Sequence, residues 1–283
     1  MKISTDTFAI INALGEEQGL KLIKDSGFEA VDFSLFNHSP SIDVLDEKYR
    51  DRAKRTREIL EKVGLECGQA HSPYRFLTYE SVLDMSNMDF VRMLRSIEYA
   101  SIIGSSCIVV HGFADPKGPF SEECIVRNIN YYNMLKETAQ KFSIHISIEN
   151  MIRNCLNTPQ LMNSIIDRLD SDVFNLCLDI GHCQVTGFKP QDFIRGLDSG
   201  KLKLLHIQDN TAIIDDHMLP FLCKVEWEEV LKALAEYGYE GNISLEITSF
   251  YNKFPVKLLP KAVELAAQTA DYLRSRLIEL SLP

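Results

Sequence analysis

A (β/α)8 barrel is the fold class that this sequence predicts, on three observations. Eight short apolar runs alternate with eight helical stretches, no composition break or linker interrupts them over 283 residues, and most of the runs end in a histidine or a carboxylate. Strict strand–helix alternation favours a parallel sheet, and eight units at this length favour a closed barrel, which typically takes about 250 residues. An open, doubly wound sheet would carry a glycine-rich phosphate turn after its first strand, and Ser4-Thr5-Asp6-Thr7 is not one. Residues 1–283 are therefore read as a single domain.

The first strand is expected at residues 2–6 and the first helix at 15–26, with Leu20 and Ile23 on its apolar face. Gly27-Phe28-Glu29-Ala30 turns the chain into strand two, 31–35. A long charged helix, 43–63, carries apolar positions at Leu45, Ala53, Ile59, Leu60 and Val63, and Gly64 suits its C-cap. Strand three spans 66–71, a helix 88–103 stops at Gly104, and strand four covers 107–112. A loop with Pro116, Gly118 and Pro119 leads to a helix at 121–142, and strand five follows at 145–150. Thr158 and Pro159 open a helix to 169 as N-cap and first helical residue. Strand six is 174–179, a helix covers 190–197, and strand seven is 202–208. The loop 209–224 is long for a barrel, and such lengths usually signal function or disorder. A helix at 226–237, a second Gly-aromatic-Glu turn at Gly238-Tyr239-Glu240, strand eight at 242–247 and a last helix at 256–278 complete the chain.

Hydrophobic residues at 45% and charged residues at 25% are ordinary for a soluble globular protein. A formal net charge of −10 argues against nucleic acid, whose binders grip phosphates with basic patches. No run approaches the 18 or so apolar residues of a membrane span, so no membrane partner is expected. Seven cysteines, odd in number, scattered and without a C-x-x-C pair, fit a reducing compartment, and a cytoplasmic location is expected.

Function is read from the strand ends. In a barrel they all open onto one face, where barrel enzymes work. Those ends carry His71, His111, Glu149, Asp179, His206 and Glu246, with His182 one short turn beyond Asp179 and Asp215 and His217 in the long loop. Taken singly, each residue has a plainer explanation, such as a hydrogen-bonded histidine or a carboxylate capping the next helix. Several acidic and imidazole groups sharing one mouth repel or desolvate one another unless a cation joins them, so metal binding is expected. Asp32, His145 and Trp227 are expected to serve packing, with His145 deep in the barrel. Tyr74, Phe113, Phe188 and Phe250 lie where they would wall a pocket or cover the mouth. Cys183 is not expected to be a ligand.

The endings His71-Ser72-Pro73-Tyr74, His111-Gly112, Glu149-Asn150, Asp179-Ile180-Gly181-His182, His206-Ile207-Gln208-Asp209 and Glu246 together resemble the xylose isomerase-like TIM barrel superfamily. That superfamily includes sugar isomerases and epimerases, inosose dehydratases and endonuclease IV repair enzymes. The resemblance implies a metal quartet of Glu149, Asp179, His206 and Glu246, holding one divalent ion: Mn²⁺, Mg²⁺, Co²⁺ or Zn²⁺. It implies Glu149 and Glu246 as the catalytic pair moving a proton beside a polarised carbonyl. It also implies His71, His111, His182, Asp215 and His217 as contacts to a small carbohydrate, and pairing into a homo-oligomer. The leading expectation is a sugar, sugar phosphate or polyol isomerase or epimerase. Two alternatives stay open: dehydration of a keto-polyol, and phosphoester hydrolysis with a second or third Zn²⁺, for which all nine of these residues resemble ligands. The sequence departs from ketose 3-epimerases at Met151-Ile152-Arg153-Asn154-Cys155, where they carry a second glutamate, and in the loop after strand seven, which lacks their arginine. Pro220-Phe221-Leu222-Cys223-Lys224 also replaces the glycine-rich turn that usually follows the Asp-x-His pair.

Overall fold

Eight parallel strands follow one another around the sheet in the order of the chain, and each pairs with its sequence neighbour. The computed structural model describes residues 1–36, 45–73, 84, 86–113, 121–152 and 156–282. The strands are β1 (Ile3–Asp6), β2 (Ala30–Ser34), β3 (Glu66–His71), β4 (Cys107–Val110), β5 (His145–Glu149), β6 (Phe174–Asp179), β7 (Leu202–His206) and β8 (Ile243–Leu245). β1 pairs with both β2 and β8. The last seam closes just above β7, where Ile207 N–H donates to Ser244 O at 2.8 Å and Glu246 N–H donates to Ile207 O at 3.0 Å. The result is the single (β/α)8 barrel expected from the alternation.

The helices are α1 (Phe8–Leu14), α2 (Glu16–Asp25), α3 (Tyr49–Val63), α4 (Met88–Ile102), α5 (Glu122–Phe142), α6 (Pro159–Ile166), α7 (Ile180–Val185), α8 (Pro190–Arg195), α9 (Trp227–Tyr237), α10 (Thr248–Tyr251) and α11 (Leu259–Ser281). Their ends carry the expected chemistry. Ser121 and Thr158 cap α5 and α6 by accepting from Cys124 N–H and Leu161 N–H, with Pro159 opening α6. Gly64 and Gly238 close α3 and α9 at φ near +75°, a left-handed conformation that only glycine adopts without strain. The short helices α1, α7 and α10 were not expected. Each turns the chain directly at a strand end, too briefly to leave a periodic apolar pattern.

Residue alternation within the strands sorts the interior into two zones. Ile108 and Val110 on β4, Leu176 and Leu178 on β6, and Leu202 and Leu205 on β7 join the main core between sheet and helices. Cys107, Val109, Cys177 and Leu204 form a separate small cluster on the opposite face, inside the barrel. The period of two continues upward from that cluster to His111, Asp179 and His206. The same face of β5 runs from His145 to Glu149. His145 corrects the expectation of a deep core role: it is exposed, because β5 begins there at the open lower end of the barrel.

Two register slips adjust this alternation. Val31 pairs with Cys67 but Asp32 pairs with Gln69, so Gly68 is passed over between β2 and β3. Leu176 pairs with Leu202 but Cys177 pairs with Leu204, so Lys203 is passed over and Asp179 comes level with His206. Irregularities of this kind re-aim side chains and are common beside active sites.

Candidate metal centre

Four residues on four consecutive strand ends converge. One ligand atom from each of Glu149, Asp179, His206 and Glu246 lies within 4.8 Å of all the others. Asp179 and His206 are fully buried and Glu149 is nearly so, which places three charged or polar groups beyond the reach of bulk water. Asp179 also caps α7, accepting from His182 N–H at 2.7 Å through Oδ1. The plain capping role and convergence on the quartet are thus compatible in one carboxylate.

Glu149 is the most crowded member. His206 Nδ1 stands 3.1 Å from its Oε1, while His111 Nε2 and His71 Nε2 stand 2.7 and 3.4 Å from its Oε2. Burial would raise this carboxyl, but His111 and His206 hold it well below the usual carboxylate range. Glu246 behaves oppositely. Burial outweighs His206 and His217, and its carboxyl is pushed up to about 7. Two glutamates facing one space therefore differ in proton affinity, the arrangement that general acid–base chemistry requires.

A second group lies nearer the rim. Asp215 Oδ2 sits 3.2 Å from His182 Nε2 and 2.9 Å from His217 Nε2. Despite its burial, Asp215 is held far below its ordinary value by these two rings. Burial works against the charge on His217, but Glu246 and Asp215 raise it to about 10. A third grouping is His71, His111 and Glu149, and a fourth is His71, His206 and Glu246. Glu149 therefore belongs both to the quartet and to a histidine-rich neighbour.

The donor set fits a divalent cation. Glu149 Oε2 and Glu246 Oε2 are buried carboxylate oxygens faced by His111 Nε2 at 2.7 Å and His206 Nδ1 at 3.2 Å without an aligned hydrogen bond among the described residues, a state that a positive charge, on a ring or on an ion, completes. Three carboxylates and one imidazole form a mostly oxygen set, and the two groups richer in imidazole suit a softer ion.

The structure places all nine residues singled out from the sequence in these groups, three of which share members while His182, Asp215 and His217 stand as their own. Sequence reasoning underrated three others. Asp32 Oδ2 lies 3.0 Å from His206 Nε2. Gln208 links Asp215 and the His217 backbone, donating to Asp215 Oδ1 at 2.5 Å and accepting from His217 N–H at 3.1 Å. The Phe36 ring lies 5.1 Å from that of His71. A period-two count from Ser34 and His206 places Phe36 and Gln208 on the inner face, a signal that was available. Of the four aromatics expected to wall the mouth, Phe113, Phe188 and Phe250 pack on Tyr131, Phe193 and Tyr251. Tyr74 lies outside the described residues, as do Arg153 and the segment with Pro116, Gly118 and Pro119. Trp227 is buried as expected and donates from its indole to Asp209 at 3.2 Å. Cys183 donates to Asp179 O and joins none of the groups.

The family profile described as a xylose isomerase-like TIM barrel matches residues 20–276. The chain belongs to the xylose isomerase-like TIM barrel family. An uncharacterized protein of Methanocaldococcus jannaschii, MJ1311, is 29% identical over 184 residues, and the match spans 62% of this chain and 62% of MJ1311. The crystal structure of a D-tagatose 3-epimerase-like protein superposes with a TM-score of 0.74 at 21% identity, over 97% of this chain and 99% of the other. That of the IolI protein with a bound zinc atom gives 0.73 at 17% identity, over 100% and 99%. At these identities the likenesses to family structures concern the fold. Among the described residues no helix is long and apolar enough to cross a membrane.

Proposed function

We propose that this family member is a divalent-metal-dependent enzyme that isomerises or epimerises a small sugar, sugar phosphate or polyol derivative. One observation carries the proposal: Glu149, Asp179, His206 and Glu246 converge within 4.8 Å at the strand ends, and two of their buried carboxylate oxygens face imidazoles without an aligned hydrogen bond among the described residues. The ion, when bound, supplies polarisation of a carbonyl and its neighbouring hydroxyl. The chain supplies the proton movements. Glu246, poised near neutrality by burial, exchanges a proton at the carbon beside the carbonyl. Glu149, held ionised between His111 and His206, faces it from β5. His71, His111, His182, Asp215 and His217 line the approach and hold substrate oxygens. The names of the similar structures, one a D-tagatose 3-epimerase-like protein, support a small carbohydrate as substrate.

The test has two parts. Protein prepared without added metal is expected to retain or take up about one equivalent of Mn²⁺, Co²⁺ or Zn²⁺ at the quartet. With a panel of ketoses and their phosphates in D₂O, deuterium is expected at the carbon beside the carbonyl, and Glu246→Gln should abolish its incorporation. A chain that binds no divalent ion, or that turns over a sugar without exchange, refutes this reading.

A second reading rests on a different observation. Glu149 is shared by two ligand groups while His182, Asp215 and His217 form one of their own, and such sharing suits a multi-ion site for phosphoester hydrolysis. Stoichiometry separates the two: close to three Zn²⁺ per chain favours hydrolysis, and close to one excludes it.

A further inference from the structure

The histidines at the mouth are oriented in two different ways. His71 Nδ1 is 2.8 Å from Ser72 O, His182 Nδ1 is 2.8 Å from Asn150 O, and His217 Nδ1 is 3.1 Å from Glu246 O. A carbonyl only accepts, so each of these rings carries its proton on Nδ1. Nε2 is then left to face Glu149 from His71 and Asp215 from the other two. His206 is turned the other way. Its Nδ1 faces Glu149 Oε1 at 3.1 Å and Glu246 Oε2 at 3.2 Å, and no backbone carbonyl among the described residues bonds either ring nitrogen. What stands behind Nε2 is the carboxylate of Asp32, at 3.0 Å.

We propose that Asp32 is the positioning residue of the quartet: it keeps the His206 proton on Nε2 and so presents the Nδ1 lone pair to the ion. The inference rests on the metal-dependent reading above. A neutral imidazole has one proton to place, and a ligating nitrogen must be free of it. The carbonyl that does this for the other three rings is missing here, and a carboxylate does it instead. Asp32 is built into place for the task. The register slip sets it level with Gln69 rather than Gly68, and Gln69 Nε2 donates to its Oδ2 at 2.9 Å. Asp32 and His206 are both buried. Among the described residues His206 Nε2 bonds no other group, so Asp32 Oδ2, at 3.0 Å, is the acceptor open to it. A purely structural Asp32 would need only its bond to Gln69 and would gain nothing from lying against a ligand's far nitrogen.

The test uses the full chain and Zn²⁺ or Mn²⁺ alone as probes. Chelator competition gives the affinity of wild type and Asp32→Asn. Long-range ¹⁵N correlation spectra give the tautomer, with the His206 signals assigned by their loss in His206→Gln. Zinc-loaded wild type is expected to show a His206 ring protonated on Nε2 alone, with Nδ1 shifted by the ion. Asp32→Asn is expected to bind about 10- to 100-fold more weakly, with both His206 tautomers present. Gln69→Leu, which releases the Asp32 carboxylate, should move both readouts in the same direction and serves if Asp32→Asn does not fold. An Nδ1–H ring in zinc-loaded wild type, or binding within twofold in the folded variants, overturns the proposal while the metal-dependent reading stands. If wild type binds neither ion, both fall together.

Discussion

Gln208 illustrates how closely single residues are fitted around the candidate site. Its amide lies between Asp179 and Asp215, 3.4 Å from both Asp179 oxygens and 2.5 Å from Asp215 Oδ1. A neutral donor there separates two carboxylates without adding charge. Gly181 provides the room: a Cβ at that position would fall 2.3 Å from Gln208 Cδ. Gly181→Ala is therefore expected to displace Gln208 at a cost of about 1–3 kcal/mol in stability. By shifting the amide that lies against Asp179 as well as Asp215, it should also weaken metal binding at the quartet. Urea unfolding and a metal titration check the two effects, and an unchanged titration would refute the linking role of Gln208. At this scale the sequence is legible wherever a strand end carries a recognisable ligand type, as at His111 or Asp179. It is not legible for Asp32 or Gln208, whose partners come from strands or loops distant in sequence and whose residue types are ordinary in a barrel.

Elements show what fixes the frame and what shapes the mouth. The loop after β7 is held by a hub rather than by its own length. Asp209 accepts from the N–H groups of Cys223, Lys224 and Val225 and from the Trp227 indole, and its backbone bridges to Met218. A long loop could be read in the sequence, but its order could not, because the order comes from donors more than a dozen residues away. On the outer wall, α3 and α4 are clasped. Arg50 grips Glu98 through Nε and Nη2 at 2.6 and 2.9 Å, and Tyr49 donates to the same carboxylate at 2.5 Å. Arg50 holds the Glu98 carboxyl below its ordinary 4.5. Burial, together with Glu98, pushes the Tyr49 phenol up to about 12. A depressed carboxyl stabilises above its unfolded value, so this contribution is full above about pH 4.5 and fades as pH falls below it. A raised phenol acts in the opposite sense: its contribution is full below its ordinary value of 10 and is lost as pH climbs towards 12. Glu98→Gln should therefore cost about 1 kcal/mol at pH 7, a figure kept low by the exposure of Arg50. Denaturant unfolding at pH 7 and pH 4 tests this, and a gap between wild type and variant that does not narrow at the lower pH would refute it.

Across the whole molecule the candidate site lies at the least regular part of the barrel. The β7–β8 seam is a single bridge at Ile207 and Leu245, immediately beside His206 and Glu246. An ion held by Glu149, Asp179, His206 and Glu246 would tie together the ends of β5, β6, β7 and β8 across this seam. Saturating Mn²⁺ or Zn²⁺ is accordingly expected to raise Tm, by about 2.7 kcal/mol of stabilisation at a hundredfold excess over Kd. Glu149→Gln should remove most of the rise, and scanning calorimetry with and without chelator checks both. The barrel itself was legible from alternation and length. The slips between β2 and β3 and between β6 and β7 were not, because a register is a relation between two strands and leaves no mark in either one.

The crowding around Glu149 has one more consequence. The imidazoles that face these carboxylates are the groups placed to balance their charge with protons. Despite their burial, the rings of His182 and His206 are raised well above the ordinary histidine range, by Asp179 and Asp215 around the first and by Cys177, Glu246 and Glu149 around the second. Loading the proposed site would therefore be an ion exchange, in which a divalent cation arrives and protons leave for the buffer. The heat of Zn²⁺ binding should vary with the ionisation enthalpy of the buffer, with a slope giving at least one proton released per chain, and apparent affinity should fall as pH is lowered. A slope of zero would mean that the carboxylates wait uncompensated, and the barrel mouth would then be a preformed cation trap rather than a proton store.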